Sequence, residues 1–395
     1  PFVTQGPEHR RRFMRGRAST DEQEAFRRSV RAFLTERVLP HVAEWEAAKG
    51  VPKSLYAEFG RLGVTGIRIP QEFGGAGEKS FIYNVIFAEE VMHTGAVSGA
   101  LQLHLNVVLP YFLELATPEQ QARWFPAFAS GESVTAIAMT EPGTGSDLAG
   151  ISASAVLDGD SYVLNGAKTF ITGGMNADLV VVVARTSRSE ADRRAGLTLL
   201  VVEEGMEGFS RGRNLDKLGL KSQDTSELFF DNVRVPVANR LGAEGNGFVY
   251  LTANLPQERM SIAMSAQASC ERAIGLTLDY TRERTAFGTP IASFQNTKFV
   301  LAGLSAKVEA GRHMVDRALE ELDEGVLSVA DAARVKLFTT EVQAEVMDAC
   351  LQLHGGYGYM LEYPISRMYA DARVSRIYGG SSEIMKVIIA KDLGL

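Results

Sequence analysis

Cysteine is scarce in this chain: Cys270 and Cys350 are the only two among 395 residues. They stand far apart in a chain long enough to bury a core without cross-links. They therefore read as buried thiols, as expected in a reducing compartment, rather than as a bridge. Long apolar runs are lacking as well, and no stretch is long enough to cross a bilayer, so no integral membrane segment is expected. The six histidines are scattered, and neither they nor the cysteines fall at a metal-ligand spacing, so no metal site is expected. A formal net charge of -7 leaves no basic footprint for nucleic acid.

Several catalytic and nucleotide-binding signatures are also missing. There is no G-x-S-x-G elbow and no H-E-x-x-H pair. The segment Gly74–Ser80 (GGAGEKS) resembles a phosphate loop, but Glu78 stands where a glycine must precede the lysine, and a carboxylate there repels phosphate. The segment Gly143–Gly150 (GTGSDLAG) departs from G-x-G-x-x-G at Leu148 and lies among strand patterns, which argues against a Rossmann site.

What is present is the composition of an ordinary globular protein, with 45% hydrophobic and 23% charged residues, so a disordered or fibrous chain is excluded. The start, Pro1–Arg17, is arginine-rich from Arg10 onward; without an apolar core behind it, it reads as a solvated tail rather than a targeting remnant. From Asp21 to about Ser130 the periodicity is helical. Phe26, Val30, Phe33 and Leu34 recur at three- and four-residue steps, and Thr20 with Gln23 has the spacing of a capping box. From Val134 to Pro236 the pattern changes to strands, with the β-branched run Val180–Val183, then Leu197–Val202 and Leu228–Phe230. Asp158-Gly159 and Asn165-Gly166 read as hairpin turns.

After Asn239 helical patterns return. Asn254 and Gln257 have capping-box spacing and Pro256 fits a first turn, which predicts a helix start there. Met260 and Met264 read as core. The expectation is an α+β chain of three regions: an N-terminal helical domain (1–133), a central antiparallel β-barrel or sandwich (134–238) and a C-terminal helical bundle (239–395).

Met139–Gly150 (MTEPGTGSDLAG), Gln352–Gly358 (QLHGGYG) and Arg367–Lys386 (RMYADARVSRIYGGSSEIMK) resemble signatures of the acyl-CoA dehydrogenase family. Leu164–Gly173, Leu218–Asp231 and Arg282–Gln295 extend the likeness over nearly the whole chain, and it is most similar to the long-chain branch. The resemblance implies a C-terminal four-helix bundle, FAD as cofactor, an acyl-CoA substrate, electron delivery to an electron-transfer flavoprotein and a homotetramer. It also implies a cytoplasmic enzyme in a bacterium, or one of the mitochondrial matrix in a eukaryote.

Oxidising a thioester at its α,β carbons requires a base for the weakly acidic α-proton and hydrogen-bond donors for the developing enolate oxygen. In many members of this family the base is a glutamate in a motif similar to Y-E-G-T-[SA]. Here the segment reads Tyr378-Gly379-Gly380-Ser381-Ser382, and Gly379 has no proton acceptor. The long-chain branch resembles a second arrangement, with the base in L-P-Q-E-R. Leu255-Pro256-Gln257-Glu258-Arg259 matches it and makes Glu258 the candidate base. Judged by spacing alone, Glu258 is a solvated residue of a helix's first turn, where the helix dipole lowers a carboxylate's pKa. A useful base needs the opposite shift. Gly379 keeps a backbone N–H as an oxyanion donor; read without the resemblance, it is a plain turn residue.

The resemblance further implies that Ile137, Thr140, Gly145 and Ser146 run beside the flavin ring, with Phe170 and Thr172 on its other side. Arg284, Phe287 and Gln295 match contacts made to FAD by a neighbouring subunit, Gln352, Gly355 and Gly356 a loop around the adenosine half, and Ser381 and Glu383 a further FAD contact. Ser146, Arg259, Tyr378 and Gly380 match contacts to the acyl-CoA. Glu383 is a second, lower-ranked base candidate, and His354 reads as structural. Two other readings stand beside an active dehydrogenase: a flavin- and acyl-CoA-binding homologue without turnover, motivated by Gly379, and an acyl-CoA oxidase.

Overall fold

The computed structural model describes residues 19–189 and 191–395; the arginine-rich start lies outside them. Helix α1 (Asp21–Phe33) begins with the expected capping box, in which the Thr20 hydroxyl accepts from the Gln23 N–H and the Gln23 side chain returns to the Thr20 N–H. The long helices α2 (Ile82–Thr94) and α3 (Pro118–Ser130) follow, with shorter ones at Val42–Ala47, Ser54–Arg61 and Leu109–Leu115. Thr117 and Gln120 form a second capping box on α3.

Helix α2 carries two buried glutamates. Arg27 of α1 reaches Glu89 at 2.9 Å and Glu90 at 3.1 Å, and Arg31 reaches Glu90 at 2.6 Å. Glu89 is also held by Arg312 at 2.8 Å, and Arg312 in turn holds Glu271 at 2.7 Å. Charges shielded from water are tolerated only when paired, so this network ties the N-terminal helices to the C-terminal bundle.

The middle of the chain is one eight-stranded sheet: β1 (Thr135–Ala138), β2 (Ser154–Asp158), β3 (Ser161–Thr172), β4 (Leu179–Arg185), β5 (Leu197–Glu203), β6 (Phe209–Asn214), β7 (Thr225–Pro236) and β8 (Arg240–Leu241). The order is β6-β7-β3-β2-β4-β5-β8, with β1 on β4. The sheet is mixed rather than antiparallel, because β1 pairs β4 in parallel and β2 meets β4 in parallel at its end. The reason is visible in β4: every residue is buried, which is how a strand covered on both faces and paired in parallel reads. Asp158-Gly159 does open the β2–β3 hairpin, with Gly159 at φ +64. Asn165-Gly166 is not a turn. It lies inside β3 at a register shift, and a Cβ on Gly166 would meet that of Ala153 at 2.7 Å, so the glycine serves close approach rather than reversal.

Helices α4 (Gly247–Glu283), α5 (Gln295–Asp323), α6 (Val329–His354) and α8 (Ser382–Asp392) pack as the C-terminal bundle, with α7 (Pro364–Ala372) against α6. Cys270 and Cys350 are buried free thiols in its core, and Met260 and Met264 are fully buried. The helix start expected at Asn254 is not there. Helix α4 begins at Gly247 and runs on through Pro256. Asn254 is buried and donates to Glu114 at 3.4 Å, while Gln257 donates to the Asn106 carbonyl at 2.8 Å and accepts from Arg68 at 3.1 Å. Tertiary burial has overridden the local proline signal, which otherwise disfavours a helix interior.

Candidate active site

The start of α4 at Gly247 sets the chemistry of Glu258. It sits well inside α4, three turns from the N-terminus, where the dipole no longer favours its charge. By surface area the residue is half-buried, yet its Oε2 is enclosed and has no hydrogen-bond partner. Burial raises its pKa above the ordinary value, with Arg259 and Lys336 opposing. This is the shift a base for carbon needs.

Gly379 lies against this carboxylate. A Cβ added to Gly379 would stand 3.3 Å from Glu258 Oε1 and 2.3 Å from Ile262 Cδ1. Gly379 and Gly380 both have left-handed backbones, at φ +61 and +91, a conformation that costs other residues. The Tyr378 and Gly380 carbonyls both accept from the Lys336 ammonium, the first at 2.6 Å. Glu258, Lys336 and the 378–380 turn thus form one cluster. Glu383 is outside it: exposed at the start of α8, its pKa is lowered by hydrogen bonds from its own backbone N–H and the Ser381 hydroxyl. That makes it a poor base. Ser381 caps α8 by accepting from the Ile384 N–H. Arg259 is only 3% exposed, and its Nη1 reaches the Val329 carbonyl at 3.5 Å.

A second group forms at the sheet. Ile137 is buried in β1, opposite Val181. The Thr140 carbonyl accepts from the Thr169 N–H at 2.9 Å, which sets the Met139–Gly150 loop beside β3. Gly145 and Ser146 are exposed in that loop. Glu141 fastens the loop, accepting from the Ser152 and Ala153 backbone and from the buried Lys168 at 2.9 Å. Phe170 is 68% exposed and has φ +58, between buried Thr169 and Ile171. A bulge between Lys168 and Ile171 turns its ring outward. A bulky residue in that conformation is strained and points to function. Thr172 pairs with Thr225 at the strand's end.

A third group lies at the other end of α4, where a groove is lined by Tyr280, Arg284, Gln352, Gly355, Gly356 and Tyr357. The Arg284 guanidinium stands 5.4 Å from the Tyr357 ring centre. Cβ atoms on Gly355 and Gly356 would meet nothing within 4 Å, so the groove floor is open backbone. His354 is structural, buried with its Nδ1 2.8 Å from the Cys350 carbonyl and its ring stacked on Tyr280. Phe287 is 98% exposed at the tip of a two-residue hairpin, with φ +52, and Gln295 is exposed at the start of α5.

By the helical rise, Arg284 lies roughly 40 Å along α4 from Glu258. One chain therefore does not bring the third group to the first, and a single bound dinucleotide does not span them.

Family models of the acyl-CoA dehydrogenase N-terminal, middle and C-terminal domains match residues 20–132, 136–233 and 245–394. The chain belongs to the acyl-CoA dehydrogenase family. It is 43% identical over 377 residues to the mitochondrial long-chain specific acyl-CoA dehydrogenase of Sus scrofa, covering 95% of this chain and 87% of that one. It superposes on the crystal structure of an acyl-CoA dehydrogenase from Geobacillus kaustophilus with a TM-score of 0.94, at 44% identity, over 96% of this chain and all of that one. A glutaryl-CoA dehydrogenase from Mycobacterium smegmatis in complex with FADH2 is similar at a TM-score of 0.84 and 27% identity, with 95% of each chain covered.

Acyl-CoA dehydrogenases are FAD-dependent enzymes, and the residues here fit that cofactor. The outward Phe170 ring offers an aromatic face, and the open Gly355-Gly356 backbone beside Arg284 suits a phosphate-bearing adenosine half. Sequence reasoning missed Lys336 and the Lys168–Glu141 anchor. Lys336 was findable, since it interrupts a buried helical stripe of Ala332, Ala333, Thr339 and Thr340.

Proposed function

We propose that the protein dehydrogenates an acyl-CoA to its trans-2-enoyl-CoA, with Glu258 as the base for the α-proton. The observation that carries this reading is the proximity of Glu258 Oε1 to the Cβ position that Gly379 lacks, 3.3 Å away. Two positions distant in sequence address one spot, so a carboxylate on α4 serves where a carboxylate on the turn is absent. An enclosed Oε2 without a partner is a proton acceptor held ready, and burial keeps it basic.

The Gly379 N–H donates to the thioester oxygen and stabilises the enolate as the proton leaves. Bound FAD supplies the hydride acceptor for the β-hydrogen. Ile137, Thr140, Gly145, Ser146, Phe170 and Thr172 hold the flavin end, with Ser381 and Glu383 as a further contact. Ser146, Arg259, Tyr378 and Gly380 hold the acyl-CoA. Arg284, Phe287, Gln295, Gln352, Gly355 and Gly356 serve FAD across a subunit boundary in a homotetramer, a reading supported by their distance from Glu258 and by the exposed Phe287 ring. Electrons then pass to an electron-transfer flavoprotein.

The test is anaerobic bleaching of the flavin by acyl-CoAs of varied length and branching, for the parent and for Glu258→Gln. Bleaching in the parent and its loss in the variant are expected. A variant that bleaches at the parent rate overturns the assignment, and a parent that binds acyl-CoA without bleaching favours a non-catalytic homologue. Peroxide release during aerobic turnover would mark an oxidase.

A further inference from the structure

Lys336 is 1% exposed, and among the described residues no carboxylate lies within ion-pair distance of its ammonium. A buried lysine without an ion pair is expensive and calls for a reason. Its partners are two backbone carbonyls, those of Tyr378 and Gly380, which bracket Gly379. Two successive left-handed residues, Gly379 and Gly380, curl the chain so that both carbonyls converge on one Nζ.

The Tyr378 carbonyl and the Gly379 N–H belong to the same peptide plane. In a trans peptide they point in opposite directions, and no cis peptide occurs among the described residues. A carbonyl turned toward Lys336 therefore turns the Gly379 N–H away from it. Among the described residues that N–H has no hydrogen-bond partner. A cation on the carbonyl also polarises the peptide and strengthens its N–H as a donor.

The geometry points to Lys336 as the positioning residue of the oxyanion site: it locks and polarises the Tyr378–Gly379 peptide so that the Gly379 N–H is presented to the substrate's thioester oxygen. This rests on the proposed α-proton abstraction and adds to it a residue that touches neither substrate nor the transferred proton. The role accounts for a lysine where a neutral side chain would otherwise pack. It also accounts for the tolerance of the site to losing its side-chain carboxylate at 379, because the donor belongs to the backbone and is held from α6.

The test uses the flavin-loaded protein and a 3-thiaacyl-CoA, whose α-proton is acidified by the neighbouring sulfur and which has no β-hydrogen to transfer. The enolate it forms on oxidised flavin is followed by its long-wavelength absorbance across pH, which gives the α-proton's pKa in the bound state. Lys336→Met, of similar volume, is expected to raise that pKa by at least about one unit, the tenfold loss that corresponds to weakening a hydrogen bond to a charged oxygen. Lys336→Gln keeps an N–H donor to the turn, is expected to give an intermediate value, and covers the case in which the methionine variant does not fold. A pKa equal to the parent's in either folded variant overturns the role of Lys336. A parent in which the analogue stays protonated instead sinks the underlying reaction.

Discussion

A methyl group on Gly379 would stand 3.3 Å from the Glu258 carboxylate, so the carboxylate on α4 lies beside the point where a side chain on the turn would begin. The first consequence concerns the carboxylate. Glu258→Gln keeps the shape and removes the proton acceptor, and the rate of flavin reduction by acyl-CoA should fall by about 10²–10⁴-fold. Stopped-flow absorbance under anaerobic conditions measures it. Acyl-CoA affinity should change little, because the amide fills the same volume.

The reduction rate should be bell-shaped in pH. Burial raises the pKa of Glu258, and as a base it acts only when deprotonated, so the rate climbs as pH rises through that raised value. Burial pushes Lys336 down to about 8, with Glu258 opposing, so its ammonium is lost and the rate falls as pH rises through that region. In Lys336→Gln the alkaline limb should vanish while the acidic limb remains. An unchanged alkaline limb in that variant would assign it to another group.

Gly379→Ala forces a Cβ into a left-handed backbone, which costs about 1–2 kcal/mol. The added methyl must also displace Ile262 Cδ1, 2.3 Å away, although that is the flexible end of a side chain. Thermal unfolding should show a modest loss of stability, and flavin reduction should slow because the Gly379 N–H shifts with the turn. A variant with parent stability would show that the turn relaxes freely.

Arg312→Met should be severely destabilising. It strips the buried carboxylates of Glu89 and Glu271 of their shared partner, and breaking a buried pair costs about 3–5 kcal/mol. The same network sets an acid limit. Burial alone would raise the pKa of Glu89, but Arg312, Arg27 and His93 hold it down to about 2, below the ordinary 4.5. Its contribution is complete above the ordinary value and is lost as pH falls from there toward 2. Chemical denaturation at pH 7 and at pH 3 measures both effects, and Arg312→Met should show the smaller difference between the two.

Phe287→Asp should leave the thermal stability of the separate chain intact, since the ring is 98% exposed and packs on little within it. If the hairpin serves a neighbouring subunit, flavin content and the assembly state in analytical ultracentrifugation should both fall. A fully flavinated assembly of parent size would remove Phe287 from that contact.

Much of this architecture was legible along the chain. The Thr20–Gln23 capping box, the β-branched run of β4 and the core methionines are local signals, and each was realised. The helix start at Asn254 was not, and the sheet, antiparallel in most of its pairs, takes β1 on β4 in parallel. Strand pairing is a long-range choice that side-chain periodicity does not encode, and Pro256 was carried inside a helix by burial that no local window contains. The resemblance points to Glu258, but its local pattern is that of a first turn, whereas the helix end that carries the dipole lies eleven residues away.

The sequence by itself determined which residue types were available: a glycine where a base could have stood, a glutamate on an earlier helical segment, and the order of helical and strand-forming regions. Those follow from composition and short-range periodicity. Only the tertiary structure decided that Glu258 and Gly379 meet, that a lysine from a third segment holds the turn that carries Gly379, and that Phe170 faces outward. Those facts depend on the packing of α4, α6 and the 378–380 turn and on a bulge in β3, and packing is set by the whole chain at once.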